Sequence, residues 1–242
     1  MKKILRKVTI TGADDSIDPI SLFQIAERYP FVEWGILLSK SSEGNPRFPS
    51  TRWLRELVEL QSAGTDNKIS LSGHICGRWV RDICSGGFEF YNNMRDIILS
   101  FQRFQLNFHS YLHRIHSTER FVESLRSINI RGQQIIFQFD NVNNSLLDSA
   151  KDNGVDAVPL FDLSGGAGVL PKEWKQPVGD YCGYAGGLSP DNLEAQLTLI
   201  ADKLNGVTIW IDAETRLRSN NDRQFDLKKV NEFLATAKFW LA

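Results

Sequence analysis

Short apolar runs alternate along the whole chain with longer stretches whose apolar residues recur every three or four positions. The short runs predict eight β-strands, at residues 7–11, 32–38, 68–72, 103–108, 133–139, 157–161, 180–185 and 206–212. The longer stretches predict helices at residues 19–29, 50–61, about 88–100, 117–128, 144–153, 189–204 and 226–241. Such regular alternation predicts parallel strands joined by helical crossovers.

The number of these units and the chain length together predict the fold. Eight strand–helix units in 242 residues match a single (β/α)8 barrel, the TIM barrel, for which about 250 residues are typical. We therefore expect one α/β domain over residues 1–242, with an elaborated third βα segment because residues 73–100 exceed one crossover. A doubly wound open sheet is the alternative, since periodicity does not show whether a sheet closes. Ser50, and Ser189 followed by Pro190, predict two helix starts.

Composition and charge narrow the classes of function. The net charge is −1 at pH 7 and the pI is near 6.4, so nothing indicates a nucleic-acid polymer as partner. Three cysteines form no C-x-x-C pair, which favours reduced thiols in the cytoplasm. We find no apolar stretch of the length that a secretory signal or a membrane span needs. We expect a cytoplasmic protein whose partner is a small molecule; the sequence predicts no particular oligomeric state.

In a barrel of this kind, ligands bind where strands end and βα loops begin. Polar residues at the predicted strand ends are therefore the candidate site: Thr11, His74, Asn107, Asp162, Asp212 and Glu214. A histidine in this place is either a general base or a structural hydrogen-bonding residue. Trp210 is the best candidate for stacking on a base. No histidine, cysteine and carboxylate cluster has metal-ligand spacing, so we predict neither a metal nor a cofactor.

Two glycine-rich loops follow the sixth and seventh predicted strands. The first, "SGGAG", contains Gly165, Gly166 and Gly168, and the second, "AGGLSPDN", contains Gly186 and Gly187. Glycines let the backbone approach a ligand closely and turn its N–H groups toward an anion. The second loop also leads into a helix N-terminus, which favours negative charge. We expect the loops to bind phosphate; the alternative is a pair of plain tight turns.

Several of these segments resemble phosphoribosylanthranilate isomerase. The runs "LFDLSGGAGVLPKEW", "PVGDYCGYAGGLSPDNL" and "FDLKKVNEFL" are similar to its C-terminal half, and "ITGADDSIDP", "GILLSKSSEGNPRFPS" and "FQLNF" to its first turn, its arginine loop and its fourth strand. The resemblance implies a (β/α)8 barrel that rearranges a phosphoribosyl amine into a ketose amine without a cofactor. It also implies that Asp162 is the general acid, that Arg47 binds the substrate carboxylate, and that the glycine loops bind phosphate.

The chain departs from this family at two places. The family's general base is a cysteine just before the glycine of the first strand end, where this chain has Thr11 before Gly12. A threonine hydroxyl is a poor base at neutral pH unless a neighbour activates it. At strand eight the family has a serine- and glycine-rich phosphate turn, where this chain reads "WIDAETRLR". Here Asp212 and Glu214 would repel a phosphate, whereas a carboxylate facing a ribose diol would accept two hydrogen bonds.

Two hypotheses of different class follow from these residues. In the first, the chain is an enzyme that performs isomerase-like acid–base chemistry on a phosphorylated ribosyl compound, with Asp162 as acid and the base not identified. In the second, it binds a phosphoribosyl or nucleotide-like metabolite in order to sequester or sense it. Asp162 favours the enzyme, whereas the missing cysteine and the acidic eighth strand favour the binding protein. Taken together, these residues slightly favour the hypothesis of a binding protein. We do not expect the chain to isomerise phosphoribosylanthranilate itself.

Overall fold

Eight parallel strands form one closed barrel in the computed structural model, which describes residues 2–63, 68–107, 115–139, 143–162 and 167–242. The strands pair in chain order, and the eighth pairs with the first. Their bounds are β1 Leu5–Thr11, β2 Val32–Leu38, β3 Ser70–Ile75, β4 Arg103–Leu106, β5 Gln134–Phe139, β6 Ala157–Asp162, β7 Tyr181–Ala185 and β8 Thr208–Ala213. The predicted (β/α)8 barrel is confirmed, and the open sheet is wrong.

Helices surround the barrel in the connections between strands. Their bounds are α1 Ile20–Arg28, α2 Thr51–Ala63, α3 Arg78–Cys84, α4 Glu89–Ile98, α5 Thr118–Ile128, α6 Asn144–Asp152, α7 Leu193–Ala201 and α8 Leu227–Ala237. The elaborated third segment is confirmed, because α3 and α4 both lie between β3 and β4. Between β6 and β7 the described residues 167–180 contain no helix, and the Trp174 ring packs edge-on against Tyr184 there. None of the helices described here is both long and apolar enough to cross a bilayer.

The two predicted helix starts have different outcomes. The first is confirmed, since Ser50 Oγ accepts a hydrogen bond from the backbone N–H of Trp53 at 3.2 Å at the start of α2. The start at Ser189 is wrong, since α7 begins at Leu193. The side chain of Asn192 accepts a hydrogen bond from the Ser189 N–H at 2.9 Å, which holds the intervening residues in a turn.

The connection from β8 to α8 contains structure that the apolar pattern did not predict. A one-turn 3₁₀ helix, Thr215–Leu217, leads into a hairpin of two short strands, β9 Arg218–Ser219 and β10 Gln224–Phe225. At its tip, residues 220–222 have left-handed backbone with φ between 51° and 70°. Asn and Asp tolerate this conformation better than most residues with a side chain. Strands of two residues are too short to show an alternating pattern, so periodicity cannot predict this hairpin.

The inside of the barrel is divided into an apolar and a polar half. The last four strands supply the apolar half, Ile136, Val158, Leu160, Ala185 and Trp210. The first four strands supply the polar half, Lys7, Thr9, Glu33, Ser70 and Arg103. Barrel interiors are usually layers of bulky branched side chains, so the polar groups must pair with one another to offset their loss of water.

Glu33 lies at the centre of the polar half. Its completely buried carboxylate accepts hydrogen bonds from Lys7 Nζ at 3.0 Å, Arg103 Nη1 at 3.1 Å and Thr9 Oγ1 at 2.9 Å. The Arg103 guanidinium also lies 4.2 Å from the ring centroid of Trp210, a cation–π contact. Burial alone would raise the pKa of Glu33, but the charges of Arg103 and Lys7 outweigh it and hold this pKa below its usual value.

Candidate functional site

Two aspartates stand at the same height at the carboxyl ends of β6 and β8. Asp162 and Asp212 both pair with Ala185 of the intervening strand, which places their Cα atoms about 10 Å apart. Ala185 adds only a methyl group between them. Gln138 Nε2 donates to Asp162 Oδ2 at 3.3 Å. Among the described residues, no three histidine, cysteine or carboxylate side chains are grouped so as to hold a metal ion.

Asp212 is the more deeply buried of the two aspartates. It is 7% exposed, and its Oδ1 accepts a hydrogen bond from Thr11 Oγ1 at 2.7 Å. Burial raises the pKa of Asp212 well above its usual value; the Thr11 hydrogen bond opposes this, and the negative charges of Glu214 and Asp162 add to it. Asp212 is therefore a carboxyl group that keeps its proton at pH values where an exposed aspartate is ionised.

A glycine on β2 makes room for Thr11 and His74. A Cβ atom on Gly35 would lie 2.0 Å from Thr11 Oγ1 and 3.0 Å from His74 Cε1, so these two atoms lie within 5.0 Å of each other. β3 extends three residues beyond its predicted end, so His74 lies within the strand. The structure thus brings Thr11, His74 and Asp212 together. Thr11 as a catalytic residue stays a prediction, and in this geometry its hydroxyl donates a hydrogen bond to Asp212 Oδ1.

Replacing Gly35 with alanine should destabilise the fold by about 1–3 kcal/mol, because the new methyl group overlaps Thr11 Oγ1. Removing that oxygen with Thr11→Ala should recover part of the loss. Urea unfolding of both single variants and the double variant forms a double-mutant cycle that measures this coupling. Strictly additive effects would show that Gly35 and Thr11 do not share the space.

Arg47 is held by carboxylates of the chain itself. Its Nη1 donates to Glu214 Oε1 at 2.6 Å and its Nε to Asp222 Oδ2 at 2.5 Å. Burial raises the pKa of Glu214, which the charge of Arg47 partly offsets. The role of Arg47 in binding a substrate carboxylate stays a prediction, and such a ligand would have to compete with Glu214 and Asp222.

A second arginine extends these contacts to the first βα loop. Arg218 is buried, its Nη2 donates to Asp14 Oδ2 at 2.6 Å, and its Nε forms an ion pair with Asp222 Oδ1 at 2.9 Å. Together with the previous contacts this makes a chain of alternating charges, which we call the mouth latch: Asp14, Arg218, Asp222, Arg47 and Glu214. The latch joins the loops that follow β1, β2 and β8.

Asn107 lies in a group of buried and half-buried polar side chains on the opposite side of the mouth. Its Oδ1 accepts a hydrogen bond from Gln105 Nε2 at 2.8 Å, and its Nδ2 lies 3.1 Å from Cys76 Sγ. Burial raises the pKa of Cys76 to about 12, so the thiol stays protonated. Sequence reasoning missed Gln105 and Cys76 because neither belongs to a motif. β3 ends at Ile75, so Cys76 is the first residue after the strand. Knowing this strand end would have placed Cys76 at the mouth of the barrel.

The glycines of the two predicted phosphate loops are also required by packing. A Cβ on Gly168 would lie 2.7 Å from Thr215 Cβ, and one on Gly187 would lie 2.5 Å from the Leu170 backbone nitrogen. Both have positive φ, at 64°. The loops after β6, β7 and β8 therefore pack directly on one another, and close packing accounts for these two glycines without a ligand.

A pocket of about 550 Å³ opens beside the second glycine loop. Its charged residues are Asp191, Arg216, Lys229 and Glu232. Two cations and two carboxylates balance, so the pocket presents no net charge of one sign. Of the other predicted loop residues, Gly186 has φ 119°, and Gly165 and Gly166 lie outside the described residues. Phosphate binding by these loops stays a prediction.

Trp210 lies inside the barrel rather than at its rim. It is fully buried, two residues before Asp212 on the same face of β8. Arg103 covers one side of its ring, and a Cβ on Gly183 would lie 2.3 Å from it. Stacking of Trp210 on a ligand stays a prediction, and a ligand would have to enter the barrel below Asp212 to reach the ring.

Fold and site together define a (β/α)8 barrel protein whose carboxyl-end mouth contains Asp212, a buried carboxyl group with a raised pKa. An AP endonuclease of family 2 from Brucella melitensis aligns with 99% of this chain and 100% of its own, with a TM-score of 0.52 and 11% identity. A D-psicose 3-epimerase from Clostridium cellulolyticum H10, crystallised with D-tagatose, aligns with 96% of this chain and 98% of its own, with a TM-score of 0.49 and 13% identity. The similarity to the AP endonuclease shows the fold alone. No family model and no curated protein matches the sequence.

Proposed function

We propose that this barrel is an acid–base enzyme of the isomerase type, acting on a small hydroxylated carbonyl compound. The observation that carries the proposal is Asp212, a buried carboxyl with a raised pKa that faces the mouth across from Asp162. Two carboxyl groups in different environments can divide the roles of acid and base between them. Because Thr11 donates to Oδ1, the second oxygen of Asp212 is left to carry the proton toward a substrate.

The chemistry balances without any further reactant. In this scheme Asp162 is the base, rather than the acid that the resemblance implies. It removes a proton from the carbon next to the carbonyl group, and the C–H electron pair forms a carbon–carbon double bond. Asp212 gives its proton to the carbonyl oxygen, which yields an enediol. Isomerisation follows when Asp212 takes a proton from the neighbouring hydroxyl and Asp162 returns its proton to the former carbonyl carbon. Both residues end as they began.

A ribosyl or phosphorylated sugar is the substrate class we propose. Gln105, Gln138 and Asn107 surround the mouth with amide groups, which donate and accept the hydrogen bonds that sugar hydroxyls require. Arg216 and Lys229 stand beside the second glycine loop, where a phosphate would contact them, although Asp191 and Glu232 lie close by. The site supports no closer identification of the sugar. Thr11 in place of a cysteine argues against phosphoribosylanthranilate as substrate.

The second candidate is a protein that binds such a metabolite without converting it. One observation favours it: Thr11 stands where the resembled family has its cysteine base, and its hydroxyl is engaged in a hydrogen bond to Asp212 Oδ1. A binding protein would be stabilised by its ligand and show no turnover. At a hundred times its dissociation constant, a ligand adds about 2.7 kcal/mol to the free energy of unfolding.

Proton exchange tests the enzyme even when the product has not been identified. In D₂O, the purified protein should introduce deuterium next to the carbonyl group of a compound such as ribose 5-phosphate or ribulose 5-phosphate, followed by NMR or mass spectrometry. Asp162→Asn should abolish the exchange, while Asp96→Asn, at a side chain 94% exposed, should leave it unchanged. Thermal stabilisation by a compound that shows no exchange would favour binding over catalysis. No exchange and no stabilisation across phosphorylated and unphosphorylated sugars would refute both candidates.

A further inference from the structure

His74 has a buried polar atom for which the described chain offers no partner. Its Nε2 is buried, no described residue forms a hydrogen bond with it, and the whole residue is 1% exposed. Burying a polar group without a hydrogen bond lowers the stability of the fold, and such groups are rare in native structures. An unpaired ring nitrogen in the interior therefore indicates a partner outside the described residues.

The position of His74 shows where that partner lies. The His74 ring occupies part of the space that the missing side chain of Gly35 leaves. Its Cε1 atom, which is bonded to Nε2, lies within 5.0 Å of Thr11 Oγ1. Thr11 in turn donates to Asp212. The imidazole ring therefore lies beside Thr11, the hydrogen-bond partner of the proposed acid.

The imidazole is also in the protonation state that donating a single hydrogen bond requires. Burial lowers the pKa of His74 to about 3; Glu33 opposes this shift and Arg103 adds to it. The ring is consequently neutral at physiological pH. A neutral imidazole donates through one nitrogen only and does not transfer its proton readily, which suits it to polarise a carbonyl group while another residue supplies the proton.

We propose that His74 is a catalytic residue of this mouth, whose Nε2–H donates a hydrogen bond to the carbonyl oxygen of the substrate. This inference rests on the proposed function, because the oxygen that accepts the hydrogen bond from His74 is the same carbonyl oxygen that Asp212 protonates. In the enediolate-like transition state negative charge grows on that oxygen, so the bond from Nε2–H strengthens as the reaction proceeds. The alternative is a structural histidine whose Nε2 is bonded to a buried water molecule.

Two substitutions separate these roles in the exchange assay. His74→Leu removes the donor and should lower the rate of deuterium incorporation about 10²-fold at saturating substrate, with a smaller change in KM. His74→Gln restores an N–H donor and should recover part of the rate. His116→Gln, at an exposed histidine, is the matched control and should leave the rate unchanged. Equal rates in His74→Leu and wild type would refute the catalytic role, with both melting temperatures recorded to show that the variants are folded.

A second measurement tests the contact itself, whether or not turnover occurs. In protein labelled with ¹⁵N-histidine, the His74 signals are those absent from His74→Gln. Adding ribose 5-phosphate or ribulose 5-phosphate should shift the His74 Nε2 resonance and leave that of His116 in place. A shift of the Nε2 resonance without deuterium exchange would support the contact between His74 and the ligand but refute the proposed enzyme activity. Exchange without a shift would keep the enzyme and refute the role of His74, and no shift with any compound would also overturn the inference.

Discussion

Replacing Glu33 with alanine should lower the free energy of unfolding by about 3–5 kcal/mol, because it leaves the buried charge of Arg103 and the half-buried charge of Lys7 uncompensated. Urea unfolding measures the change. Glu56→Ala, at an exposed glutamate of α2, is the matched control and should stay within about 0.5 kcal/mol of wild type.

The mechanism behind this loss can be tested by removing the charges together. If the loss comes from unpaired cations, the double variant Glu33→Met and Arg103→Met should be more stable than Glu33→Ala alone, because apolar residues of similar volume replace the ion pair. A double variant less stable than the single one would show that the interior depends on the ion pair itself.

Acid should remove the same contribution from the wild-type protein. The pKa of Glu33 is lower in the folded than in the unfolded state, so its contribution to stability is present above the ordinary glutamate pKa and is lost as the pH falls through the lower, folded value. The stability of wild type should therefore fall more steeply below about pH 4.5 than that of Glu33→Ala. Parallel acid profiles would contradict this assignment.

Asp212→Asn should lower the rate of substrate deuteration about 10²- to 10⁴-fold, because the amide keeps the hydrogen bond from Thr11 but cannot deliver a proton. The variant should also be more stable than wild type at neutral pH. The pKa of Asp212 is raised by folding, so the folded state binds more protons than the unfolded state and its stability falls as the pH rises above the ordinary aspartate pKa. Asparagine does not ionise and removes that loss.

Exchange rate and melting temperature, measured on the same preparation across pH 4 to 8, check both parts of the Asp212 prediction. The gain in stability should be absent near pH 4 and grow as the pH rises. An Asp212→Asn variant with full exchange activity would remove Asp212 from the mechanism. A variant destabilised at every pH would show that the wild-type carboxyl is not held protonated by its surroundings.

Periodicity together with chain length predicted the barrel, because the eight buried strands and their crossovers leave an apolar pattern and their number and total length match a closed barrel. Periodicity failed where a contact with another part of the chain decides at which residue a helix begins or a strand ends. α7 begins at Leu193 rather than Ser189 because of the Asn192 side chain, and β3 continues to Ile75 because it pairs with β2 and β4. Neither contact is visible in a local pattern of apolar and polar residues.

The candidate site was predictable in its location but not in its connections. Strand ends pointed to Thr11, His74, Asp162 and Asp212 without any contact being known. The hydrogen bond from Thr11 to Asp212 joins residues 201 positions apart, and the mouth latch joins loops separated by more than 150 residues. Such partners are set by strand register and barrel closure, so a single sequence shows the groups but not their pairing.

The mouth latch has a consequence for the seam between the first and last strands. If the barrel opened there, β1 and β8 would become edge strands whose free N–H and C=O groups could pair with another chain. The latch ties the loops above this seam, and below it the Ile4 N–H donates to the Trp240 carbonyl and the Ala242 N–H to the Leu5 carbonyl, each at 2.9 Å. Weakening these contacts should therefore appear first as self-association through exposed strand edges, with most of the secondary structure still intact.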